Sequence, residues 1–62
     1  MNKQIKDDLR DKDETVTYYL TKARKAMKEG NLDSAKQNYG LAGRELATIW
    51  GCLEMIRQYD IK

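Results

Sequence analysis

The residues most nearly arranged for chemistry are Asp7, Asp11 and Glu14. Steps of four and three place their carboxylates on one face of a helix, where hard oxygen donors can hold a divalent cation. Three carboxylates on an open helix are far more often a solvated face, so no metal ligands are assigned. Cys52 is the sole cysteine, and the sequence has no histidine. A catalytic nucleophile needs a positioned base beside it, and no such pair can be assembled. Zinc needs clustered cysteines and histidines, which are missing. The four glycines are dispersed, so no phosphate-cradling loop is formed. Cys52 reads as a small buried side chain and not as a reactive thiol. The expectation is a protein that is not an enzyme, with no catalytic residues, cofactor or metal.

A second constellation is basic and aromatic. Tyr18, Lys22, Lys25 and Lys28 lie on the outside of one helical segment, and Lys36 follows. Cations beside an aromatic ring can grip a phosphate backbone and stack a base. Against this stand a net charge of only +2 and the acidic run Asp7, Asp8, Asp11, Asp13 and Glu14, so no strong field draws the chain to a polyanion. An RNA- or DNA-binding hairpin dimer is therefore the alternative reading. A membrane partner is not expected, because the most apolar stretch, residues 46–56, is short and contains Glu54.

The elements that must position these residues are helices. There is no proline, which permits long uninterrupted ones. With 40% hydrophobic residues, the chain is too apolar for its modest charge to be disordered. Gly30-Asn31 is the clearest punctuation. Glycine suits the left-handed position past a helix end, Lys25 and Lys28 suit the negative end of the dipole, and Asn31 can cap a second helix with Asp33 in its first turn. A corner this short predicts an antiparallel hairpin.

The second helix is expected over about residues 32–59. Leu32, Ala35, Tyr39, Ala42, Leu46, Ile49, Leu53 and Ile56 alternate steps of three and four, the seam of a coiled coil. Carried back through the corner, the spacing selects Ala26, Ala23, Tyr19, Val16, Lys12, Leu9 and Ile5. Helix 1 then runs over about residues 3–29. Asp11 or Asp13 can instead cap a shorter helix over about 14–29, leaving residues 1–13 frayed. The fold class is all-α, a single helical-hairpin domain.

Helix 2 carries more apolar surface than one neighbour can cover. Outside its seam lie Leu41, Trp50 and Met55, with small residues at Gly40, Gly43, Ala47 and Gly51. Interior glycines each cost about 1 kcal/mol relative to alanine, and close approach of another backbone would offset that cost. Tryptophan is enriched at binding hot spots. Gly43, Ala47, Trp50, Gly51, Leu53 and Met55 are accordingly the expected partner or dimer interface. Two hairpins sharing such faces make a homodimeric four-helix bundle. If the dimer consumes that face, function falls to Tyr18, Arg24, Arg44 and Tyr59.

Residues 28–42, Lys-Glu-Gly-Asn-Leu-Asp-Ser-Ala-Lys-Gln-Asn-Tyr-Gly-Leu-Ala, resemble the centre of a tetratricopeptide repeat. Gly30, Ala35, Tyr39 and Ala42 match its small and aromatic positions, and Tyr19 and Ala23 extend the likeness over residues 19–42. A single unit is present, whereas solenoids need about three or more, and the repeat's terminating proline is absent. The resemblance implies a hairpin that binds protein. The composite reading is a protein–protein interaction module of adaptor or inhibitor type, a class common among phages and mobile elements. A lone cysteine and an N-terminus without an apolar stretch make the cytoplasm the expected location.

Overall fold

A computed structural model of the protein describes residues 3–60. Two antiparallel helices, α1 (Lys3–Lys28) and α2 (Leu32–Asp60), lie side by side. They form a slab of 49 × 17 × 11 Å. Helix α1 begins at Lys3, the longer of the two starts the sequence allows. The polar run that offered an alternative cap lies inside it. The Thr15 and Thr17 hydroxyls donate to the carbonyls of Asp11 (3.1 Å) and Asp13 (3.3 Å), so their bonds close within the helix instead of ending it.

The corner satisfies both helix ends. Asn31 N–H donates to the Ala26 carbonyl (2.9 Å) and Gly30 N–H to that of Met27 (3.1 Å), the pair of bonds that closes a helix through a left-handed residue. Gly30 is that residue, at φ 75°. Asn31 then opens α2: its Oδ1 accepts from Ser34 N–H at 3.1 Å, and its carbonyl accepts from Ala35 N–H at 3.0 Å. A Cβ placed on Gly30 would meet no atom of the described residues within 4 Å beyond Gly30 itself and its two chain neighbours, so the cost of Gly30→Ala is conformational alone. It is expected to destabilise the hairpin by about 1–2 kcal/mol, read from urea titrations followed by circular dichroism. Gly40 sits within α2, also with open space around its Cβ position. Gly40→Ala is expected to stabilise by about 0.5–1 kcal/mol through backbone entropy, which the same titrations measure.

The helices meet along two rows. On α1 the row is Ile5, Leu9, Lys12, Val16, Tyr19, Ala23 and Ala26, with Val16, Ala23 and Ala26 buried and the rest half-buried. This is the row the spacing predicts. On α2 it is Ala35, Asn38, Ala42, Glu45, Ile49, Cys52 and Ile56, with the first three buried and the rest half-buried. Here the expectation is half right. Ala35, Ala42, Ile49 and Ile56 face α1 as predicted, but Leu32, Tyr39, Leu46 and Leu53 are exposed. Their places are taken by Asn38, Glu45 and Cys52.

The reason is the size of the buried side chains. The apolar core is Val16 with four alanines, Ala23, Ala26, Ala35 and Ala42. Alanine against alanine draws two helix axes toward the short end of the roughly 8–10 Å range. Level with these alanines a tyrosine ring or a leucine has no room, and the larger members of the α1 row, Leu9 and Tyr19, stay only half-buried. Asn38 can, because its amide turns back onto its own helix, donating to the Ser34 carbonyl at 2.9 Å and to the Ser34 Oγ at 3.3 Å. Among the described residues no large side chain is fully buried. A methyl contributes only about 0.8 kcal/mol on burial, so the hairpin's own core is weak.

Candidate interaction surfaces

Three surfaces of the hairpin are available to partners. The most apolar is an edge of α2. Leu32, Tyr39, Leu46 and Leu53 recur every seven residues, and Gly43 and Trp50 fall between them at steps of four and three. This is a second seam, rotated from the one that meets α1. All six are exposed, Leu32 to 72% and Trp50 to 69%. In an antiparallel pair the helical twist brings the corresponding edge of α1 to the same broad side. That edge carries Leu20 and Met27 but interrupts them with Lys6, Asp13, Thr17 and Arg24. The ridge is therefore a property of α2.

The second surface is a cleft of about 270 Å³ at the open end of the hairpin, on the opposite broad side, lined by Ile5, Asp8, Leu9, Lys12, Cys52, Met55 and Ile56. Larger side chains replace the alanines there, and the helices close less tightly on one another. Cys52 is half-buried in its wall. Met55 and Tyr59 are exposed, and Met55 carries the apolar surface onward from the cleft.

The third surface is the outer side of α1. Between Thr15 and Lys28 there is no acidic residue. Arg24, Lys25 and Lys28 line a hollow with Thr21. The Lys22 ammonium lies 5.2 Å from the centre of the Tyr18 ring, which itself meets Tyr19 edge-on at 5.4 Å. A cation over a ring face is a favourable contact worth about 0.5–1 kcal/mol at an exposed site.

The residues that the sequence marks as an interface do not form one row. Gly43, Trp50 and Leu53 lie on the ridge, and Met55 borders the cleft. Ala47 and Gly51 lie on the outside of α2, exposed and half-buried respectively. An added Cβ at Gly43 or Gly51 would meet nothing within 4 Å, so no part of the hairpin approaches these glycines closely. Leu32, Tyr39 and Leu46 join the ridge although their spacing assigned them to the core. The signal that could have moved them is the run of alanines facing them. Asp7 pairs with Arg10 at 3.3 Å, and the described residues include no gathered group of three metal-ligating side chains. No helix among the described residues is long and apolar enough to cross a membrane.

No protein-family model, curated protein or solved structure matches the chain. The likeness of residues 19–42 to a tetratricopeptide unit thus rests on those residues alone.

Proposed function

We propose that this chain is a small, non-enzymatic protein–protein interaction module, of adaptor or inhibitor type, that acts through a helical surface. The observation that carries the reading is the apolar surface that α1 leaves uncovered on α2. Tyr39, Leu46, Trp50 and Leu53 keep 37% to 69% of their surface exposed, in register with one another, whereas exposed apolar residues scattered singly need no explanation. A contiguous row with a tryptophan at its centre has the composition of a binding hot spot. The test is retention of proteins on the immobilised chain, compared with Leu46→Glu on the ridge and Met55→Glu beside the cleft. Specific retention of a protein, lost in one of the two variants, supports the reading and names the surface. If the chain retains neither a second copy of itself nor any other protein, the reading fails.

A second reading, a nucleic-acid-binding hairpin dimer, is favoured by one observation: Tyr18, Lys22, Lys25 and Lys28 share one face of α1, with no acidic residue between Glu14 and Glu29. Binding to structured RNA and to DNA across a salt series separates it from the first. Phosphate contacts give a steep fall of affinity with salt, and no binding at low salt removes it.

A further inference from the structure

We propose that the ridge of α2 is covered by α2 of a second copy, running antiparallel, so that two hairpins associate as a twofold dimer. The inference rests on the interaction-module reading and names the occupant of its most apolar surface. Three observations carry it.

The first is area. The chain exposes 5090 Å², whereas a compact folded monomer of 7.2 kDa exposes about 4100 Å². The surplus of about 1000 Å² matches the roughly 800 Å² that each partner buries in a stable interface.

The second is the choice of surface. The ridge needs an apolar row of its own length and periodicity. Helix α1 of another copy does not offer one, because Lys6, Asp13, Thr17 and Arg24 interrupt the exposed edge of α1. Helix α2 of another copy does. An isologous contact of this kind is closed by its own symmetry.

The third is charge, which sets the direction. Lys36 and Arg57 lie on the ridge row at its two ends. Parallel pairing in register would set Lys36 against Lys36 and Arg57 against Arg57. It would also bring the acidic half of α1 (Asp7, Asp8, Asp11, Asp13, Glu14) beside its equal. Antiparallel pairing removes both conflicts. When the row overlaps over its whole length, Tyr39 stands level with Trp50 of the second copy, and Leu46 with Gly43 of the second copy. The small residue faces the large one, as interdigitating layers require. The acidic half of α1 then lies at the level of the second copy's Lys22, Arg24 and Lys25. The cleft and the outer side of α1 stay open, each presented twice, for any other partner.

The experiment is sedimentation equilibrium of the full chain across micromolar concentrations, with indole fluorescence recorded in parallel. The expected result is twice the 7.2 kDa chain mass, with blue-shifted emission that turns red on dilution. Trp50→Asp and Leu46→Glu should each weaken association by roughly 30-fold or more, whereas Met55→Glu should leave it unchanged. Trp50 is 69% exposed in the hairpin, so loss of the dimer in Trp50→Asp is not a packing defect within one chain. Direction is read from disulfide formation in a Cys52→Ser background. Gly43→Cys, near the twofold axis, should cross-link, and Leu32→Cys, at the far end, should not. A wild-type chain that stays monomeric, a dimer indifferent to both ridge variants, or ready cross-linking through Leu32→Cys would overturn the proposal. A monomer that retains another protein, and loses it in Leu46→Glu, defeats the dimer while leaving the interaction reading standing. A monomer that retains nothing defeats both.

Discussion

Ala23→Leu should cost the hairpin about 1–3 kcal/mol, enough to leave so small a fold largely melted at ambient temperature. Ala23 is 0% exposed and belongs to the buried alanine core with Ala26, Ala35 and Ala42. Three extra carbons there have no void to enter. They must part the helices, and that separation strips contact from every other alanine in the seam. The comparison variant is Ala47→Leu, on the exposed outside of α2, where added bulk meets solvent and the change should stay within about 0.5 kcal/mol. Thermal melts by circular dichroism at several concentrations measure both and separate hairpin stability from association. Equal melting of the two variants would mean that the alanines do not form the contact between the helices.

Asn38→Asp is the second large effect, and its sign depends on pH. Asn38 is 6% exposed, and its amide nitrogen is the donor in both bonds to Ser34. A carboxylate has no hydrogen to give and would sit 2.9 Å from a carbonyl oxygen. Burial and that carbonyl both favour the protonated acid. The folded-state pKa of the new carboxyl is therefore raised above its unfolded value of about 3.9. A raised folded pKa means that the stabilising protonated form is fully present below the unfolded pKa and is lost as pH rises through the folded one. The variant should approach wild-type stability in acid and fall short by about 1–3 kcal/mol at neutral pH. Urea titrations at pH 3 and pH 7 decide it. A variant indistinguishable from wild type at pH 7 would place Asn38 in solvent and restore Tyr39 and Leu46 to the core.

Both variants probe the rotation of α2, which decides which of its side chains the hairpin leaves exposed. With Tyr39, Leu46 and Leu53 turned inward, the hairpin would have an ordinary apolar core and a mostly polar exterior. With Asn38, Glu45 and Cys52 turned inward instead, the core is alanine and the large side chains lie outside. The same residues thus specify either a hairpin with its large apolar side chains inside or one with an apolar ridge outside. The four buried alanines select the second.

The sequence alone determined that there are two helices, their corner and the inward face of α1, while the start of α1 at Lys3 and not near residue 14 came from the structure. Gly30 and Asn31 act through local backbone chemistry, which a few adjacent residues settle. The α1 row is legible because one stripe of that helix is apolar but for Lys12, with charges on both sides of it. What only the tertiary structure decided is which stripe of α2 faces α1. Two rows share Ala35, Ala42, Ile49 and Ile56 as a common edge. Periodicity favours the row with the larger apolar residues, because it counts hydrophobicity and knows nothing of the gap to be filled. The distance between the helices is set jointly by Ala23 and Ala26 on one and Ala35 and Ala42 on the other. At that distance small side chains fit and large ones do not, so the greasier row was turned outward to become the surface on which the proposed function rests.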